Sequence, residues 1–259
     1  MTPQRAQFTN LKLTGAWADD VPSGITLTGT GDLGPATRSD VPAGAAPGDL
    51  LFGTFPALIV IVVVGTLMIT TEYRYGVIRL SFSATTGRVR SLLAKAVVLA
   101  GATFVSTLVA TVLAVPLWLK VVRGLGVYVF PAGPLVLLRA EVGTAAVLAV
   151  TAVLALSVGV ILRRSATAVT TVVFVTVLPY LLALTPFLPP SVGEWTARVT
   201  PAAAFAVRQT LVRYPQVDSV YTVANGYYPL TPWAGLAVLC GYTATALVVA
   251  AVVLRRRDV

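Results

Sequence analysis

From Asp49 to Arg255 the chain alternates long apolar stretches with short polar ones. Residues 50–71 carry no charge, nor do 96–119, 142–162 or 165–193. In the last uncharged stretch, 219–254, the apolar part runs from Trp233 to Leu254. A hydrocarbon core about 30 Å thick is crossed by about 20 helical residues at ~1.5 Å each. One Asp, Lys or Arg at the centre of such a helix costs roughly 2.5–3.5 kcal/mol on insertion, so gaps in charge of this length are the mark of lipid. The pattern predicts an all-α protein, a polytopic membrane helical bundle. Five transmembrane helices are expected near 51–71, 96–119, 142–162, 166–187 and 233–254, making residues 50–259 one transmembrane domain behind a polar segment, 1–49.

The polar segment is rich in Gly, Thr, Pro and Asp, and Ile25 to Thr28 alternates like a short strand. Gly29-Thr30-Gly31-Asp32-Leu33-Gly34 matches G-x-G-x-x-G formally. Pro35 follows it and no apolar helix does, so a turn-rich loop is expected rather than a nucleotide site. Residues 1–10 hold no apolar core of a cleavable signal peptide. Two further segments are ambiguous. Residues 124–138 are uncharged but broken by Gly124, Gly126, Pro131, Gly133 and Pro134, which predicts an interfacial or re-entrant piece. In 187–232, Trp195, Val199, Ala202, Phe205 and Ala206 recur at helical spacing after Pro189-Pro190, with Arg198 and Arg208 off that face. This predicts an amphipathic helix at the interface. Trp118, Trp195 and Trp233 near span ends fit an aromatic belt.

Charge sets the orientation. The loop 72–95 holds Arg74, Arg79, Arg88, Arg90 and Lys95; Arg163-Arg164 join spans three and four; the chain ends Arg255-Arg256-Arg257-Asp258-Val259. An even number of spans separates these regions, so ten of the 19 basic residues share one face. The positive-inside rule makes that face cytoplasmic and puts the N-terminal segment outside. The formal charge of +9 is therefore read as headgroup contact in a cell membrane, not as a nucleic-acid surface.

The chain is 56% hydrophobic and only 11% charged, with a mean hydropathy of +0.85. Histidine is absent, which removes the commonest general base and most zinc constellations. Cys240 is the sole cysteine and sits in the last span. No ionisable group lies near a span centre, which disfavours proton-coupled transport. Span hydroxyls such as Thr103, Ser106, Thr151, Ser157, Thr176 and Thr243 are expected to bond helix carbonyls, and Gly101, Gly143, Gly159 and Gly241 to admit close helix packing. Pro116 and Pro179 are expected to kink their helices. No catalytic, cofactor or metal residue is predicted. There is also no G-x-x-x-x-G-K-[ST], so any ATP hydrolysis falls to another polypeptide.

The most specific segment runs Thr71-Glu72-Tyr73-Arg74-Tyr75-Gly76-Val77-Ile78-Arg79 and on to Gly87-Arg88-Val89-Arg90 and Lys95. Ile78, Leu80, Phe82 and Ala84 alternate like a strand, whereas Tyr73, Val77, Leu80 and Ala84 share a helical face. A helix is expected, because a lone strand would leave backbone groups unpaired. This loop resembles that of the permease subunits of ABC-2 type exporters. Their second span is followed by Ser/Thr-Glu-x-x-x-Gly-Thr, an apolar stretch, a Pro-x-Arg turn and a Lys opening the third span. Thr71-Glu72, Gly76, Arg88 and Lys95 match; Val77 stands where Thr is usual and Thr86 near the usual Pro. The short Arg163-Arg164-Ser165 loop, the long external loop and the basic C-terminus extend the likeness over roughly 50–259.

The resemblance implies a six-span family in which residues 1–49 correspond to the external loop after a first span not seen here. It implies an export permease that pairs with a second permease subunit, identical or not, and docks a cytosolic ATP-binding subunit through the 72–95 loop. Glu72, Arg74, Gly76, Arg79, Arg88, Arg90 and Lys95 are the expected coupling residues, with headgroup contact as the competing role for the arginines. The alternative is a non-transporting membrane scaffold or a truncated permease remnant.

Overall fold

The computed structural model describes residues 45–74, 87–127, 129–130, 132–184, 190–211, 223 and 226–256. One helical turn, α1 (Pro47–Leu50), leads through a 3₁₀ turn (Leu51–Gly53) into α2 (Thr54–Arg74). Then come α3 (Arg88–Gly124), α4 (Pro134–Leu162), α5 (Ser165–Leu184) and α6 (Pro190–Val199). A 3₁₀ segment (Pro201–Arg208) and α7 (Pro232–Arg256) complete the described chain. Among the described residues there is no β-strand, only an isolated bridge between Ala45 and Val129. Five helices are long and apolar enough to cross a membrane, and each coincides with an expected span. The chain is an all-α, multi-pass membrane protein.

The spans pack around α4. Two-thirds of its most apolar stretch is buried inside the protein, against 17–29% in the other four spans. Its buried positions run right round the helix and are mostly small: Ala140, Gly143, Ala145, Ala149, Ala152, Ala155 and Gly159. Small side chains let neighbouring backbones approach, which is how helices gain dispersion contacts in a solvent as apolar as themselves. Gly159 faces Thr66 and Ile69 of α2, and Gly143 faces Val207 of the 3₁₀ segment. Two core layers result. Leu58, Val62, Leu148, Val172, Tyr180, Phe205 and Leu239 meet at one end of the bundle. Ile69, Leu92, Leu99, Leu156, Val160 and Leu254 meet at the other, where the arginines lie.

Several boundaries differ from expectation. The described residues of 124–138 belong largely to the ends of two helices rather than to a separate re-entrant piece. Helix α3 ends at Gly124, Gly126 turns the chain at φ 73°, and α4 already begins at Pro134, where proline suits the first helical turn. At 29 residues α4 is about 43 Å long, longer than the hydrocarbon, so charges at its ends are tolerated. The amphipathic helix expected within 187–232 is split. Trp195 and Val199 on α6 are 63% and 56% exposed, whereas Ala202, Phe205 and Ala206 are buried. The break is local. Pro201 disfavours a helical conformation at the preceding residue, and Thr200 is extended (φ −87°, ψ 165°). The last residues of the polar segment also belong to the bundle: Ala46 is buried, and the Gly48 N–H donates to Thr210 Oγ1 at 3.2 Å. The G-x-G-x-x-G match at 29–34 and the candidate strand at 25–28 lie outside the described residues.

The span hydroxyls behave largely as expected. Thr66, Thr70, Thr144, Thr151, Ser157, Thr176 and Thr243 each donate to the carbonyl four residues earlier, at 2.7–2.9 Å. Of the four span glycines, Gly143 and Gly159 sit at close approaches. Gly101 and Gly241 face open space.

Gly235 of α7 is a close approach that the sequence pattern did not single out. A Cβ there would overlap the backbone carbonyl of Ala203. Gly235→Ala is expected to destabilise the protein by about 1–3 kcal/mol, read as a lowered melting temperature in detergent. Gly241→Ala, in open space on the same helix, should leave it unchanged.

Candidate functional site

At the arginine-rich end, Glu72 lies in the last turn of α2 and Lys95 in the second turn of α3. Lys95 Nζ contacts both carboxylate oxygens of Glu72. The side chains are 22% and 24% exposed, so the pair is screened less than a surface ion pair. The intervening loop therefore leaves from, and returns to, two helix ends tied by a charge-assisted bond. Beside it, Arg163 closes α4 in the left-handed conformation (φ 56°), its N–H donating to Gly159 O at 2.9 Å. The Arg163 guanidinium stacks 5.0 Å from the ring centroid of Tyr73. Tyr73 and Arg163 thus join the ends of α2 and α4 one residue away from the Glu72–Lys95 bridge.

Of the seven residues expected to couple to a partner, the structure brings Glu72 and Lys95 together. Arg90 is exposed on the first turn of α3, and Arg74 and Arg88 end and begin their helices. Gly76 and Arg79, and the choice between helix and strand over 75–86, lie outside the described residues.

The opposite end holds a residue that the sequence pattern misplaced. Arg208 was expected off the apolar face of an interfacial helix, yet it is only 5% exposed. Its Nη1 donates to Leu51 O at 3.0 Å and its Nη2 to the Tyr228 hydroxyl at 3.3 Å. The guanidinium lies 4.6, 4.9 and 5.5 Å from the ring centroids of Phe205, Phe55 and Tyr180. Those three rings touch one another at 4.8–5.0 Å between centroids. A planar, weakly hydrated cation suits this setting, since it stacks on aromatic faces and keeps in-plane donors for carbonyls. One side chain thereby joins the turn before α2, α5, the 3₁₀ segment and the chain leading into α7. The local signal for it is slight: an arginine ending the apolar run Pro201 to Val207. Its aromatic partners come from distant parts of the chain.

Among the described residues, cavities open at this end. One, about 420 Å³, is apolar and lies between Thr54 and Ala57 of α2 and Ser106, Ala110 and Ala114 of α3. Another, about 290 Å³, is lined by Arg139, Gln209, Thr210, Tyr228 and Thr231 among others. No family model, no curated protein and no solved structure matches this chain.

Charge reversal tests the bridge. Glu72→Lys or Lys95→Glu alone should lower the melting temperature. The double variant should recover most of the loss, with a coupling energy of about 1–2 kcal/mol in the cycle. For the buried cation, Arg208→Lys should not substitute: it keeps the charge but loses the planar stacking and one carbonyl bond. Thermal unfolding should show a loss of about 2–4 kcal/mol.

Proposed function

We propose that the chain is the transmembrane permease subunit of an ATP-driven exporter of the ABC-2 type, working in a cell membrane. In this reading the arginine-rich end faces the cytosol and the 1–49 segment faces out. ATP is hydrolysed on a separate subunit that grips the 72–95 loop, and two permease subunits line the export path. The observation that carries the reading is the Glu72–Lys95 bridge at the base of that loop. Two helix ends tied at the loop's base move together when the loop is pushed, so a partner's motion reaches α2 and α3 as one displacement. Arg163 on Tyr73 adds α4, the most buried helix, to the same assembly.

The chemistry of the spans fits a conduit driven from outside rather than a self-contained machine. The buried Thr66, Thr151, Thr176 and Thr243 hydroxyls of α2, α4, α5 and α7 are committed to their own helix carbonyls. The reading needs two states of the bundle, and a nucleotide-loaded partner shifts them only through its differential affinity for the loop in each.

The test is co-purification and turnover. Tagged chain solubilised from its own cells should bring down a P-loop ATPase and stimulate its hydrolysis in proteoliposomes. Glu72→Ala combined with Gly76→Leu should abolish that stimulation while membrane insertion is kept. A chain that recruits no ATPase would favour the membrane-scaffold alternative, and unchanged stimulation by the double variant would remove the coupling role of the loop.

A further inference from the structure

The smaller cavity at the end opposite the arginine-rich loops holds a cation with little to satisfy it. Arg139 is in the second turn of α4 and lines the 290 Å³ space. Its Nη2 donates to the Gln209 carbonyl, whereas its Nε is buried with no hydrogen-bond partner. Among the described residues no Asp or Glu lines the cavity and Arg139 forms no ion pair. A guanidinium in this state is primed for an anion, because burying an unpaired donor is costly and a charge-assisted bond removes that cost.

The other walls are neutral and polar where they meet this charge. Thr210 Oγ1 accepts the Gly48 N–H and keeps its own proton to donate. Gln209 holds the wall in place, its Nε2 donating to Leu211 O at 3.2 Å and its Oε1 accepting the Tyr228 N–H at 3.3 Å. Thr231 and Tyr228 complete the polar side, and Val136 and Leu230 the apolar side.

Depth selects the anion. Helix α4 ends at Leu162, next to Arg163 and Arg164. About 20 residues of helix cross the hydrocarbon, so counting back from Leu162 puts its other edge close to Val142. Arg139 then lies just beyond that edge, at the level of lipid phosphates. Forked guanidinium donors match phosphate oxygens. We infer that the cavity bounded by Arg139, Gln209, Thr210 and Thr231 is a binding site for a phosphate ester. The phosphate would accept from the Arg139 guanidinium and the Thr210 hydroxyl. The inference does not depend on the exporter reading.

Native mass spectrometry of the full chain in detergent tests it. The probes are phosphatidylglycerol, a monoglucosyl diacylglycerol with the same acyl chains and no phosphate, and soluble glycerol phosphate. Wild type should retain phosphatidylglycerol in preference to the glucolipid. Arg139→Gln should weaken that retention by about tenfold or more. Val136→Trp, which fills the cavity and leaves Arg139 in place, should do the same. Displacement of phosphatidylglycerol by glycerol phosphate would assign the site to phosphate esters in general, and failure to displace it would assign it to the lipid. Equal retention of the two lipids by wild type would overturn the proposal. So would phosphatidylglycerol retention by Val136→Trp at the wild-type level, which decides the matter even if Arg139→Gln fails to fold.

Discussion

Close approach to α4 is the constraint on which the rest of the structure depends. In lipid the hydrophobic effect does not distinguish a helix neighbour from an acyl chain, so association must come from packing. The alanines and glycines of α4 supply it by leaving room on every side. The C-terminal half of α2 approaches at Gly159 and the 3₁₀ segment at Gly143. Larger side chains there would push the partners outward and open both core layers at once. The outward faces of α2, α3, α5 and α7 carry exposed Val, Leu and Phe, as a lipid-facing surface requires.

Among the described residues the charged side chains lie towards the two ends of this scaffold, and arginine does different work at each. At one end Lys95, Arg163 and their partners join the termini of α2, α3 and α4 around the base of a loop. At the other, Arg208 is held by three aromatic rings and a carbonyl, fixing a segment folded back into the bundle. The Tyr242 hydroxyl adds a bond to Val199 O at 3.1 Å, tying α6 to α7. One end is held by an ion pair between helix termini, the other by a buried clamp.

The positions of the five spans were legible because insertion cost is a property of composition alone, and a charge-free stretch of 20 residues has few other uses. Helix lengths were not. A gap in charge marks hydrocarbon, whereas a helix continues wherever its backbone can bond, so α3 starts at Arg88 and α4 takes in Arg139 and Glu141. Long basic side chains at such positions reach the interface. Of the expected coupling residues, Glu72 and Lys95 could be picked out by type and place, but their pairing across 23 residues needs α2 and α3 to pack against the same helix, α4. The burial of Arg208 was beyond any local pattern. Ala202, Phe205 and Ala206 continued the helical spacing of Trp195 and Val199 with Arg208 off that face, and the Thr200–Pro201 break separates the exposed residues from the buried ones.

Orientation is the claim from which the functional reading follows, and labelling in intact cells tests it most directly. The chain has a single cysteine, Cys240, which is exposed, so Cys240→Ala gives a clean background. In that background Arg90→Cys and Trp195→Cys place one thiol at each end, both at exposed positions. A membrane-impermeant maleimide should label the Trp195→Cys protein from outside and reach the Arg90→Cys protein only after permeabilisation. Labelling of Arg90→Cys in intact cells would put the loop on the wrong side for any cytosolic ATPase and contradict the account.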